Sequence, residues 1–158
     1  MADDAAFRTF VDRHGPTLLQ AARLLTGDHH RGEDLVQVAL TKLYLKWDKL
    51  TDPLAYARRI LVTSHIDSTR RRWWGERPSD DLPDESRSDD AFAASEERDE
   101  IRRLLRELRP RERAAIVLRY YCDLSEEETA ATLGVAVGTI KSTCARALAR
   151  LRVESGVT

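Results

Sequence analysis

Near the C-terminus, residues 124–152 read LSEEETAATLGVAVGTIKSTCARALARLR, and no other stretch restricts the fold as much. Ser125, followed three residues later by Glu128, is a capping box that starts a helix. Gly134, after Leu133, suits the left-handed residue that ends one. A second periodic run then places Ile140, Cys144, Ala147, Leu148 and Leu151 on one face. The opposite face holds Gly138, Ser142, Ala145 and Ala149, flanked by Lys141 and Arg146. Small side chains let a helix backbone approach a surface closely, and the flanking cations suit phosphates. Two helices joined by such a turn fit the DNA major groove as a helix-turn-helix. A plain helical hairpin in a soluble bundle is the alternative.

A net charge of −1 is unexpected in a DNA-binding chain until it is divided along the sequence. Residues 1–77 carry +3, residues 78–100 carry −8 and residues 101–158 carry +4. The middle, RPSDDLPDESRSDDAFAAS from Arg77, is rich in Pro, Ser and Asp and poor in large apolar residues. Such a composition is expected to form a mobile tether. The expected organisation is all-α: two small helical domains, 1–74 and 92–158, joined by a flexible acidic linker, 75–91. The second domain contains the helix-turn-helix. No apolar run approaches membrane-span length, and MADDAAF is too acidic for a signal peptide. Cys122 and Cys144 lie in predicted helices with no CxxC or nearby His pair, so a reducing, cytoplasmic setting is expected, without disulfide or zinc.

The helical reading runs through the chain. Phe7, Phe10, Val11 and His14 form one stripe, expected to stop at Gly15-Pro16, with a second helix from Pro16 to Thr26 and Gly27 as its stop. Asp28 can cap a helix to about Asp48, with Leu35, Val36, Ala39, Leu40, Leu43 and Trp47 facing inward. Asp52-Pro53 starts the next helix, as cap and first-turn proline, and this helix continues to about Arg72. Phe92 to Leu108 is helical by pattern, and Arg109-Pro110 starts a helix through Tyr121.

The helix from Pro53 is expected to bury Leu54, Ala57, Leu61, Ser64 and Ser68. Roughly opposite lie Tyr56, Arg59, Thr63, Asp67 and Arg70. One aromatic and two cations on a stripe suit single-stranded nucleic acid, since cations hold phosphates and an aromatic stacks on an unpaired base. Arg70-Arg71-Arg72-Trp73-Trp74 extends that surface. A solvated charged face, with the tryptophans closing a core, is the plainer alternative. On the helix from Asp28, the outer face is Glu33, Asp34, Gln37, Thr41 and Leu45, compatible with a protein partner or simply with solvent. Enzyme readings fare poorly: there is no Gly-rich phosphate loop, GxSxG or HExxH, and the four histidines lack metal-ligand spacing. No cofactor is expected. Glu126-Glu127-Glu128 has the acidic first-turn placement that a helix dipole favours.

In this order the features resemble the bacterial sigma factors of the extracytoplasmic-function (group IV) type, from about Phe7 to Arg152. LTGDHHRGEDLVQVALTKLYLKW looks like the family's segment that grips the polymerase clamp, which implies Asp34 and Gln37 as polymerase contacts. DPLAYARRILVTSHIDSTRRRW resembles the segment that melts and reads the −10 element, which implies Tyr56, Arg59, Thr63, Asp67, Arg70 and Arg71 as contacts. LRPRERAAIVLRYYCDLSEEETAATLGVAVGTIKSTCARALARLR looks like the domain that reads the −35 element. There Lys141, Arg146 and Arg150 are expected as the phosphate-side cations and Thr139 and Ser142 as the residues nearest to base edges, and Thr143, a further −35 candidate, stands where many members carry Arg. Members usually have Asn where this chain has Thr63, and Ser or Pro where it has Ala136. No further domain is expected after Arg152.

The resemblance implies a transcription initiation factor, not an enzyme, whose partners are core RNA polymerase and promoter DNA, with an anti-sigma inhibitor as a further candidate and no membrane insertion. The rivals are a helix-turn-helix regulator that never recruits polymerase and a sigma-like decoy.

Overall fold

The structure, a computed structural model, describes residues 3–74 and 96–155. The expected linker, 75–91, and the expected helix start at Phe92 lie outside the described residues.

Asp3 opens the first helix, its carboxylate accepting the Ala6 N–H at 3.2 Å. The helix, α1, is continuous over Asp4–Thr26. The expected break at Gly15-Pro16 is absent. Pro16 removes one backbone donor, but its fixed φ is near the helical value, and packing on both sides holds the helix in one piece. Upstream, Phe7 and Phe10 stack edge-on against Trp47, with ring centroids 5.3 and 5.5 Å apart. Downstream, Leu18, Ala21, Ala22 and Leu25 are buried. Gly27, with φ 73°, ends the helix as expected and donates its N–H to the Arg23 carbonyl at 2.8 Å.

Asp28 caps α2, His29–Leu45, by accepting the Arg31 N–H at 3.0 Å. Gly32 sits against α1, where a Cβ would come within 3.1 Å of the Arg23 backbone. This position therefore sets how closely α1 and α2 approach. α2 stops short of Asp48, and a single 3-10 turn, Trp47–Lys49, follows. Asp52 then accepts the Ala55 N–H at 3.1 Å, and α3 runs over Pro53–Trp74.

In the second half, α4 is described over Glu96–Arg106 and α5 over Pro110–Ile116. The expected continuation of α5 to Tyr121 is instead a π-type turn, Val117–Tyr121, closed by the Cys122 N–H on the Val117 carbonyl at 3.0 Å. Cys122 thus ends the turn rather than lying within a helix. Ser125 and Glu128 form the reciprocal capping box at 2.9 and 2.8 Å, starting α6, Glu126–Leu133. Gly134, with φ 72°, ends α6, and α7 follows over Val137–Ser155.

The helices α1, α2 and α3 pack together, as do α5, α6 and α7. The two groups also touch. Helix α3 meets α5 and α6, α1 meets α5 and the π turn, and the buried apolar residues of both halves form one cluster. This contact widens the buried arc of α3. Ala57 and Leu61 are buried as expected, but so are Val62 and His65, while Leu54, Ser64 and Ser68 are only half-buried.

Candidate nucleic-acid and polymerase interface

Three surfaces carry the residues singled out from sequence. The first is the outer face of α2. Asp34, Gln37, Thr41 and Leu45 are all exposed, at one-turn spacing. Val38 and Leu45 expose 41% and 75% of their surface, which makes this face partly apolar as well as polar. Asp34 also borders a groove of about 480 Å³ between α2 and α3, with Val38 and Lys42 on one wall and Ser64, Asp67, Ser68 and Arg71 on the other.

The second surface is α3. Arg59, Asp67, Arg70 and Arg71 are exposed, while Tyr56 and Thr63 are half-buried. Tyr56 packs against the core, so the stripe is less open than its spacing implies. Thr63 donates its hydroxyl to the Arg59 carbonyl at 2.8 Å, the usual self-satisfaction of a mid-helix threonine. Arg70 donates to Asp67 at 3.3 Å. The structure therefore divides the set: Arg59 faces solvent, whereas Asp67 and Arg71 share the groove that Asp34 borders.

The third surface is α7. Gly138, Thr139, Lys141, Ser142, Ala145, Arg146 and Ala149 are exposed, and Ile140, Cys144 and Ala147 are buried. The two faces fall where the periodicity puts them. Two candidates are placed differently from the rest. Thr143 is buried, with 9% of its surface exposed, because it lies beside Cys144 on the inward side. Arg150 donates to Glu112 of α5 at 2.8 Å, and that carboxylate is only 10% exposed. Glu112 also accepts the Arg109 N–H at 3.2 Å. Arg150 thus ties α7 to α5 and is engaged before any phosphate arrives. Ser142 shares its hydroxyl with the Thr139 carbonyl at 3.1 Å, a local bond that a base edge can replace.

Sequence reasoning missed Arg113. Its guanidinium donates to the carbonyls of Leu105 at 2.9 Å, Leu108 at 3.1 Å and, on α1, Leu25 at 2.7 Å. Burial, and then the charge of Arg106, pull its pKa down to about 10, so it stays charged at neutral pH. The motif Arg111-Glu112-Arg113 gave only a helix start. Nothing in its spacing revealed that Glu112 and Arg113 point inward. Burial pushes the Cys122 thiol up, and the charge and hydrogen bond of Arg58 on α3 offset part of that shift. Among the described residues no cluster of His, Cys, Asp and Glu is arranged to hold a metal, and no helix is long and apolar enough to cross a membrane.

Residues 10–75 match Sigma-70 region 2, and residues 98–151 match Sigma-70 region 4. The chain is 39% identical to the RNA polymerase sigma-E factor of Streptomyces coelicolor, over 98% of this chain and 88% of that protein. It is 33% identical to the ECF RNA polymerase sigma factor SigL of Mycobacterium tuberculosis, over 99% and 94%. Among solved structures it resembles the sigma factor RpoE bound to the anti-sigma factor NepR of Bartonella quintana, with a TM-score of 0.77, 28% identity and coverage of 93% and 94%. The fold is shared with CnrH bound to the cytosolic domain of CnrY, with a TM-score of 0.70 and 24% identity.

Proposed function

We infer a mechanism from the family to which this chain belongs, the extracytoplasmic-function (ECF) sigma factors of RNA polymerase, and propose how its surfaces divide the work. The chain is a transcription initiation factor that directs core RNA polymerase to promoters. Residues 1–74 act as the region that holds polymerase and captures −10 DNA, 92–158 as the region that reads −35 duplex, and 75–91 as the tether. Within the family we place it in group IV. It acts in the cytoplasm and is not an enzyme. The observation that carries the reading is the outer face of α7. Exposed Gly138, Ser142 and Ala145 lie beside the exposed cations Lys141 and Arg146, on a helix set by a capped turn.

Asp34 and Gln37 meet the polymerase, and the apolar edges of Val38 and Leu45 add desolvated contact around them. Thr139 and Ser142 meet base edges at −35, while Lys141 and Arg146 hold phosphates. Arg59, Arg70 and Arg71 hold the −10 strand, with Tyr56 as the stacking surface. Solved relatives bound to anti-sigma factors support an inhibitor of the same kind for this chain. The test is purified chain with core polymerase on genomic fragments in run-off transcription. Promoter-specific transcripts are expected. A regulator would need another sigma factor to give any, and a decoy would give none in either case.

A further inference from the structure

We propose that Glu112 is a positioning residue for −35 recognition: through Arg150 it fixes the rotation of α7 about its own axis and withholds Arg150 from the DNA backbone. The consequence for DNA rests on the −35 reading of α7 above; the tie itself does not. The seat of α7 on the core is Ile140, Cys144 and Ala147, all buried, with Leu148 and Leu151 partly buried beside them. Apolar burial is non-directional, and Cys144 and Ala147 are small. This seat therefore sets how close α7 lies and restrains its roll only weakly. At about 100° per residue, Arg150 falls roughly 60° round the helix from Ala147, at the border of the buried stripe and on the side of Thr139 and Arg146. A directional bond holds it there. Arg150 donates to Glu112 Oε1 at 2.8 Å, and the same oxygen accepts the Arg109 N–H at 3.2 Å. The carboxylate is thus fixed by the first turn of α5, and it is far less exposed than the arginine it receives, 10% against 38%.

Magnitudes decide what roll does to reading. Side-chain tips stand about 5–6 Å from a helix axis, so a roll of about 15° carries the Thr139 and Ser142 hydroxyls by about 1.5 Å. Hydrogen bonds to base edges hold over only about 0.5 Å of donor–acceptor distance. Attraction between a cation and a phosphate falls off far more gently and tolerates the same roll. Removing Glu112 therefore has two effects of opposite sign. Helix α7 loses its rotational stop, and Arg150 is released beside Arg146, where it can meet a further phosphate.

The test uses the full chain and labelled duplexes carrying either the −35 element of a promoter mapped by the run-off assay or its scrambled sequence. Glu112→Ala should raise affinity for the scrambled duplex and steepen its logarithmic salt dependence by about one unit, as one added phosphate contact does. In the same titrations, preference for the −35 duplex should fall at least about fivefold, within the range of one lost base contact. Glu112→Gln, whose amide oxygen can still accept from Arg109 and Arg150, should keep most of the preference. Arg150→Ala should lose preference at the wild-type slope, because that cation is already engaged. The double variant Glu112→Ala, Arg150→Ala should return to the wild-type slope. If Glu112→Ala weakens both duplexes in the same proportion, the defect is one of folding and the positioning role is overturned. It is overturned equally if Arg150→Ala flattens the slope by about one unit with preference intact, since Arg150 is then an ordinary phosphate contact. The tie is read separately, without DNA, from urea midpoints. The double variant should lose little more than the worse single one, and additive losses overturn the tie. A wild type with no −35 preference would sink the −35 reading of α7, and the urea cycle would still decide the tie.

Discussion

Asp34 and Gln37 sit one turn apart on α2, both exposed to solvent. Replacing both by Ala should leave the thermal midpoint unchanged and weaken core-polymerase binding. Charge-assisted bonds lost from a desolvated interface typically cost ~1.5–3 kcal/mol each. Titration of labelled core enzyme checks this, and unchanged affinity would move the polymerase face off α2. Thr129 presents the opposite situation. It is fully buried in α6, and its hydroxyl has no hydrogen-bond partner among the described residues. A buried unpaired hydroxyl costs ~1–3 kcal/mol. Thr129→Val keeps the shape and removes that cost, so stability should rise by about 1 kcal/mol, read as a higher urea midpoint at constant m. A loss of stability would mean that the hydroxyl has a bound water. Arg150 and Thr143 show why single residues were the hardest to read. Their types suit DNA, but a buried carboxylate on α5 claims one and the inward turn of α7 claims the other.

At the scale of elements, α7 has two faces with separable effects. Arg146→Ala should weaken binding to all duplex sequences about equally and flatten the logarithmic salt dependence by about one unit, the signature of one phosphate contact. Ser142→Ala should change sequence preference while leaving the slope alone. Fluorescence anisotropy across a salt series distinguishes them, and an Arg146 variant with the wild-type slope would place the phosphate contact elsewhere. Helix α3 is tested by Tyr56→Ala. Polymerase binding and closed-complex formation should persist while strand opening slows, because stacking on one base is worth ~1–3 kcal/mol. Tyr56 also packs against the core, so the decisive comparison is a template with the −10 region already unpaired. Rescue there marks a melting defect, whereas a lasting defect marks a packing one. The starts of α2, α3 and α6 and the stop of α6 were legible because they rest on local chemistry: Asp28, Asp52, Ser125 with Glu128, and Gly134. The continuity of α1 through Pro16 was not, because it depends on the packing of Phe7 and Phe10 against Trp47, which is far along the chain. Nor was the burial of Val62 and His65, because a one-sided periodicity cannot reveal that α3 is covered from two sides.

For the whole molecule, charge is divided more sharply than it is summed. The chain carries −1 in total, yet residues 1–77 and 101–158 carry +3 and +4 around a stretch of −8. Non-specific affinity for DNA comes almost entirely from cations neutralising phosphates. An acidic segment tethered to two basic regions competes with DNA for those same cations at a high effective concentration. Its expected role is to keep the free chain off random DNA while leaving Lys141 and Arg146 available when a correct −35 element adds base contacts. Replacing Asp80, Asp81, Asp84, Glu85, Asp89 and Asp90 by their amides takes the net charge from −1 to +5 without touching a described residue. Affinity for a random duplex should rise by about tenfold or more at low salt, since neutralising even one repelling charge near the surface is worth up to about 1 kcal/mol at close range. The gain should shrink toward the wild-type value as the ionic strength approaches about 0.5 M, where screening cuts interactions beyond a few ångströms. Promoter-specific transcription, measured against a large excess of random DNA, should fall as more of the chain is held at the wrong sites. Filter binding and run-off transcription on the same preparations give both numbers. If random-duplex affinity and its salt slope stay at the wild-type values, the acidic stretch does not compete for the basic faces, and its charge must serve another surface.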